Sequence, residues 1–585
     1  AKPVPSKRCA RRYSPGRATL SRSTPTDGEI TPMHMRHDPK YASRRSPVLA
    51  DNVVATSQPL AAQAGLAMLA RGGNAIDAAV AVNFVLAVTH PQAGNIGGGG
   101  YMMIKLSDGT TTALDFREKA PRKASEDMYQ DLSGNYQPEW RRSGALAAGV
   151  PGTVDGMVRA LQRYGNLPID EVLEPAIKLA TEGHKLSYAT AHKLNRYREE
   201  LSRYASSREY YTKEHAKFVE GQSFVQKDLG ATLSRISDHG IKGFYSLETA
   251  DMIEATVRKN SGLIDKLDLR RYDSEWREPI RVEFRDKTLH MMPPSSSGGA
   301  VLAEMVNMLK SFNLTEVEYR SPEYYHILAE IMRRAFADRS RFLGDPEFVD
   351  VPLDSLSSRN FARNRIKSFS WGSATRSRHI APGDISGFKE SYETTHFSIV
   401  DKQGNAVAVT STLNGNFGSK LSVAGAGFLL NNEMDDFAAP GNKANQFGLV
   451  EGRANRIEPG KRMLSSMSPT IVTNNSDGKV DMVLGAAGGP RIINTVFQTF
   501  LHKTLFGMNA QQAIAAPRIH HQWKPDSLYF ESYTLSVNTK KQLQKLGHRL
   551  SQTDHIGRGH IIMAGDNGAY QSGVDPRGYG YAAGY

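Results

Sequence analysis

Apolar and polar positions follow two different periods along this chain. Over residues 57–71 (SQPLAAQAGLAMLAR) small and apolar residues recur at helical spacing behind a polar cap, and Gly72-Gly73 ends the run. A second helix is predicted over 74–88, and the two form a hairpin packed by alanines. Its segment 76–88 (IDAAVAVNFVLAV) is shorter than the ~20 residues of a membrane span and contains Asp77 and Asn83, so it reads as a buried core helix. Gly94-Asn95-Ile96-Gly97-Gly98-Gly99-Gly100 leads into predicted strands 101–105 and 111–116, joined across an Asp-Gly turn. Residues 154–310 read as mostly helical, with charged stretches such as 193–214. Met292-Pro293-Pro294-Ser295-Ser296-Ser297-Gly298-Gly299 interrupts them before another helix. Residues 350–393 are polar and rich in Ser and Arg, and read as an exposed segment.

From Thr394 the period changes to two. Residues 394–401 alternate, 402–405 turn and 406–413 alternate again, which predicts a β-hairpin. Short strands are expected at 427–431, 470–473 and 480–484, and helices at 492–505 and 509–516. Helices before and after internal strands predict a layered α/β architecture with the sheets inside.

Composition narrows the class. The chain has 585 residues with 39% hydrophobic and 23% charged, which excludes a wholly disordered, collagenous or coiled-coil protein. The single Cys9 excludes intramolecular disulfides, zinc ribbons and cysteine-ligated clusters. A net charge of +13 raises nucleic acid as a partner, but +8 of it lies in residues 1–46. That Pro/Ser/Arg-rich stretch lacks apolar periodicity and is predicted to be a disordered basic tail, the remnant of an export or processing segment rather than a nucleic-acid arm. The first residue is Ala and no apolar h-region follows, as expected of a removed signal peptide or of a fragment.

Several common catalytic engines are missing: the sequence has no GxSxG, HExxH or Walker motif, and no GxGxxG between strand and helix. Gly97–Gly100 lacks the Lys-Ser/Thr of a phosphate loop and is read as a tight backbone approach. His520-His521 are adjacent, point apart on regular structure and are read as structural rather than metal-ligating. Polar or Gly-rich clusters instead sit at the ends of apolar strands throughout the last third. They are Tyr392-Glu393-Thr394-Thr395-His396, Thr412-Leu413-Asn414, Asn431-Asn432-Glu433-Met434-Asp435-Asp436, Leu464-Ser465-Ser466 and Gly485-Ala486-Ala487-Gly488-Gly489. Strand ends on a rigid scaffold are where catalytic groups are presented.

In that order TTHFSIVD, TLN, NNEMDDF, LSSMSPT and GAAGGPRI resemble the small subunit of γ-glutamyltranspeptidases (glutathione hydrolases). Upstream, LDFREKAP, GNIGGGGY, AAGVPGTVDG and MPPSSSGG resemble that family's large subunit, so the resemblance runs from Val48 to Tyr585. It implies a four-layer αββα sandwich of the N-terminal-nucleophile hydrolase type, made as a single precursor that cuts itself between Glu393 and Thr394. Residues 47–393 would be the large subunit and 394–585 the small one, together one αββα unit and a heterodimer after cleavage. Thr394 is then the nucleophile, with its freed α-amino group as base, oriented by Thr412. An amide nitrogen cannot accept that proton, whereas an α-amino group with a pKa near ~8 can. The resemblance further implies that Arg117, Ser465 and Ser466 hold the α-carboxylate of a γ-glutamyl substrate such as glutathione. Asn414, Glu433 and Asp436 would hold its ammonium, and the N–H groups of Gly488 and Gly489 the oxyanion. Water, amino acids or dipeptides would accept the acyl group. It implies no cofactor and no metal, and a bacterial periplasmic or secreted location.

Three departures stand out. Met463-Leu464 precede the paired serines where relatives commonly have Pro. Phe397 stands where Tyr is frequent. Residues 438–460 resemble a lid loop, with Phe447 where such lids place an aromatic gate. The lid and Asp436 argue for this activity over a glutaryl or cephalosporin-type acylase of the same fold, the alternative reading. A non-enzymatic scaffold that uses the basic tail to hold nucleic acid is the third.

Overall fold

In the computed structural model, the residues described are 46–380, 394–439, 445–446, 448–449, 451–565 and 567–585. Residues 1–45 of the predicted tail, Glu393 and Phe447 lie outside them. Two seven-stranded antiparallel sheets form the centre. The first runs Tyr581–Gly584, Val53–Thr56, Thr395–Val400, Ala406–Thr412, Gly99–Lys105, Thr111–Phe116, Glu275–Arg277. The second runs Val48–Ala50, Tyr570–Val574, Arg558–Ala564, Val480–Ala487, Thr470–Asn474, Lys287–Met291, Ile280–Phe284. They pack face to face, strands Thr395–Val400 and Ala406–Thr412 of the first lying against Val480–Ala487 of the second. Where they meet, His396 is buried, bonded to Thr410 Oγ1 (2.9 Å) and Ser398 Oγ (3.0 Å). Its ring fills the space above Gly485, where an added Cβ would come within 2.3 Å of it.

Helices cover both outer faces, completing the expected αββα sandwich. On the first sheet lie Pro59–Ala70, Ala75–Thr89 and Thr153–Tyr164; on the second lie Gly298–Leu309, Arg491–Phe506 and Ala510–Ala515. Every residue of Ala75–Thr89 is buried, as its all-round apolar pattern predicts. Asp77 is tolerated there because its carboxylate accepts the N–H groups of Asn74, Asn166 and Leu167 at the helix start. Among the described residues no helix is long and apolar enough to cross a membrane.

Three expectations change. The span 154–310 is not helical throughout: Glu275–Arg277, Ile280–Phe284 and Lys287–Met291 are strands. Ile280–Phe284 alternates buried and exposed along IRVEF, a period-two signal overshadowed by the charged helices before it. Residues 427–431 make only an isolated bridge, Ser422 to Leu429. Within 350–380 the chain forms helices Leu353–Leu356 and Arg359–Ile366, and Leu356, Ala362 and Ile366 are buried, so that part is less exposed than its polarity suggested.

Candidate active site

Strand register brings the two threonines together. Thr395 pairs with Ser411 in the antiparallel hairpin, so continuing by one residue sets Thr394 opposite Thr412. Thr412 is held on its other side by Gly99 of the neighbouring strand and by Asn95, whose Nδ2 donates to the Thr412 carbonyl at 2.9 Å. The glycine run makes this approach possible. A Cβ on Gly97 or Gly98 would fall 2.1 Å from the carbonyl oxygens of Leu429 and Thr412, so the run serves backbone packing and not phosphate binding.

One small cavity is lined by Thr394, Thr412, Arg117, Asn414, Glu433, Asp436, Ser465, Ser466 and Gly489. Every described residue predicted from sequence therefore meets there, with Gly488 next in the chain. Gly488 and Gly489 form the turn between strand Val480–Ala487 and helix Arg491–Phe506, with φ of +133° and +55°. Among the described residues neither N–H is committed to an acceptor. Both sit at the positive end of a helix dipole, a place that favours developing negative charge.

Arg117 follows strand Thr111–Phe116 and is buried. Its Nη1 bonds Glu433, its Nη2 lies 2.6 Å from Asp436 Oδ2, and its Nε donates to Met463 O at 3.2 Å. Glu433 and Asp436 come from the short turn Glu433–Asp436, which Arg141 clamps through the carbonyls of Met434 (3.2 Å) and Asp435 (2.9 Å). Asn455 ties this turn to the serine loop: its Nδ2 donates to Asp436 O (2.7 Å) and its Oδ1 accepts from Leu464 N (2.9 Å). With Arg117 on Met463 O, these contacts fix the loop where relatives commonly have Pro. Asn414 adopts φ of +72°, its amide donates to Thr412 Oγ1 (2.8 Å), and its Nδ2 donates to Asn432 O (3.0 Å).

The serines divide their work. Ser465 Oγ accepts from Met467 N at 3.1 Å, a turn contact, and its carbonyl accepts from Ser297. Ser466 Oγ is buried without a partner among the described residues and lines the cavity. Described residues within the expected lid touch the acidic turn: Gln446 N donates to Asp435 Oδ2 (2.8 Å) and Asn445 Nδ2 to Asp436 Oδ1 (3.1 Å).

Burial pushes the Asp436 carboxyl up to about 6, against the pull of Arg117. Glu433 is raised as well for the same reason. Glu118, 3.8 Å from Arg117 with neither oxygen hydrogen-bonded among the described residues, is pushed up to about 8 by burial. Three buried acidic groups, Glu433, Asp436 and Glu118, therefore surround one guanidinium, an arrangement that a bound cation would complete.

A second cavity meets the first at Thr394; Gln58, His90, Gln92, Lys193, Arg558 and Tyr579 are among its walls. His520 is hydrogen-bonded through both ring nitrogens, to Asn494 and Gln522, in keeping with a structural role. The buried group His326, Glu330 and His548 has metal-like spacing. Its carboxylate is spent on Arg333 and Arg334, and His326 Nδ1 lies 2.8 Å from His548 Nε2.

Arg141, Asn95 and Asn455 were not singled out from sequence. They act on backbone carbonyls brought from afar, which no local spacing encodes.

The gamma-glutamyltranspeptidase family profile matches residues 61–585. The glutathione hydrolase proenzyme of Escherichia coli (strain K12) is 43% identical over 526 residues, covering 90% of each chain. Among solved structures, a cephalosporin acylase from Bacillus halodurans superposes with a TM-score of 0.82 at 28% identity, covering 94% of this chain and 99% of that one. Helicobacter pylori gamma-glutamyltranspeptidase gives 0.55 at 44% identity, covering 58% of this chain and 97% of that one.

Proposed function

The chain belongs to the γ-glutamyltranspeptidase family, and from that premise we propose that it is a self-processing γ-glutamyltransferase and glutathione hydrolase. The observation that carries this reading is the single cavity holding Thr394, Arg117 and the Glu433–Asp436 pair. The γ-glutamyl end of glutathione bears both an α-carboxylate and an α-ammonium, and this cluster offers a guanidinium and two carboxyls in the cavity that Thr394 also lines. A glutaryl group has no ammonium and would leave two buried carboxyls sharing one Arg117, at a desolvation cost.

Scission of the Glu393–Thr394 bond gives a large chain ending at 393 and a small one starting at 394. The new α-amino group takes the proton of Thr394 Oγ as that oxygen attacks the γ-carbonyl carbon. The tetrahedral oxyanion accepts from the N–H groups of Gly488 and Gly489, a contribution of about 3 kcal/mol per donor in comparable sites. As the carbon–nitrogen bond breaks, the leaving amine takes the proton back, and a γ-glutamyl–Thr394 ester remains. Water or the amine of an amino acid or dipeptide then resolves it. The second cavity gives the leaving group and the acceptor room on the other side of Thr394. The expected location is the bacterial periplasm or outside the cell.

Denaturing electrophoresis with sequencing of the smaller band tests the scheme. Two chains are expected, the smaller beginning Thr-Thr-His-Phe, and Thr394→Ala should leave a single inactive chain. A Thr394→Ala protein that still splits there or still turns over substrate refutes it. A preference for glutaryl over γ-glutamyl anilides would transfer the site to the acylase reading.

A further inference from the structure

Three buried polar atoms in the cavity have no hydrogen-bond partner among the described residues: Arg339 Nη2, Ser466 Oγ and Glu433 Oε2. A guanidinium nitrogen, a hydroxyl and a carboxylate oxygen, all unpaired and lining one cavity, define the chemistry that a ligand bound there would complement. A guanidinium N–H and a hydroxyl are donors for a carboxylate; a carboxylate oxygen is an acceptor for an ammonium.

Arg339 comes from helix Pro322–Phe342, far in sequence from every residue assigned above, and is 1% exposed. Nε donates to Ser297 Oγ at 2.9 Å, and Nη1 lies 2.7 Å from Glu451 Oε1. Ser297 Oγ in turn donates to the Ser465 carbonyl at 2.5 Å, which sets the guanidinium beside the serine pair. Nη2 alone is left over. Arg117, by contrast, has each nitrogen committed already, to Met463 O, Glu433 and Asp436.

We propose that Arg339 is a second carboxylate-binding residue of the donor cavity, meeting the substrate α-carboxylate through Nη2 beside the Ser466 hydroxyl. Arg117 then also serves as the counter-ion that aligns Glu433 and Asp436 for the ammonium. This rests on the γ-glutamyl reading above.

The test compares γ-glutamyl anilide with its α-carboxamide analogue, on self-processed protein. For Arg339→Gln the KM of the carboxylate donor should rise at least about tenfold with kcat within about threefold, while the carboxamide KM stays put; Arg339→Lys should recover part of the loss. The double variant Ser297→Ala with Glu451→Gln keeps the cation but removes the two contacts that place it beside the serines, and should weaken the preference for the carboxylate donor while leaving the carboxamide KM unchanged. This second variant decides the matter if Arg339→Gln does not fold. An Arg339→Gln enzyme that keeps the preference, or loses both donors equally, overturns the proposal, as does full retention of the preference in the strut variant. Wild type without any anilide turnover would instead strike at the proposed function.

Discussion

Arg117 Nη2 and Asp436 Oδ2 lie 2.6 Å apart, both shielded from water, yet burial outweighs their attraction and pushes the Asp436 carboxyl up to about 6. An ammonium needs that group ionised, so donor capture should weaken as pH falls through about 6. The profile of kcat/KM for a γ-glutamyl anilide is expected to show an acid limb there, falling about tenfold per unit for one proton. Asp436→Asn should abolish the limb and lower the plateau by about 10²-fold or more.

Stability should respond to the same residue with the opposite sign. A carboxyl whose folded-state pKa lies above its unfolded value holds its proton more tightly when folded, so stability falls as pH rises between about 4 and 6. Above that window Asp436→Asn should raise the melting temperature while harming catalysis. Calorimetry at pH 8 and pH 4 should show the gain at the higher pH and little at the lower.

Thr412 faces Thr394 across the hairpin end and receives the amide of Asn414 on its hydroxyl. Thr412→Ala is expected to slow self-cleavage and turnover by about 10- to 100-fold, and Thr412→Ser to restore most of both. Band intensities against time after synthesis measure the first, and anilide release the second.

Gly489→Ala forces a side chain onto φ of +55° in the proposed oxyanion turn. A loss of about 10²-fold in kcat with little change in KM is expected if one N–H is displaced. Steady-state kinetics on processed enzyme separate the two parameters.

The ring of His396 occupies the room above Gly485, so Gly485→Ala must move it. About 1–3 kcal/mol of lost stability is expected from such overpacking, without a change in the site itself. Denaturant unfolding in the Thr394→Ala background reads it on a single chain.

Much of the fold was legible because period and punctuation agree locally. The capped helix behind Asn74, the Asp-Gly hairpin after Lys105 and the Lys402-to-Asn405 turn all lie where their residues predict. What escaped depended on partners distant in sequence. Strand Lys287–Met291 is fixed by pairing with Thr470–Asn474, and residues 427–431, despite apolar content, find no ladder to join. The site was legible as a set of polar strand ends and by resemblance, but its supports were not. Arg141 and Asn455 grip carbonyls, and Arg339 reaches the cavity from helix Pro322–Phe342, which carries no local motif that marks a site.

The sheets interleave both sides of the proposed Glu393–Thr394 cleavage point: in the first, Val53–Thr56 lies between Tyr581–Gly584 and Thr395–Val400; in the second, Val48–Ala50 and Lys287–Met291 flank strands from beyond residue 394. Trp523 Nε1 donates to the carbonyls of Ser377 (3.1 Å) and Ile380 (3.2 Å), stitching the upstream stretch to the downstream half as well. Neither product of scission could own a sheet by itself. Assembly must therefore precede the cut, and once melted, the mature pair would have to find each other by diffusion, so a preparation denatured after maturation should recover far less activity than one denatured before it.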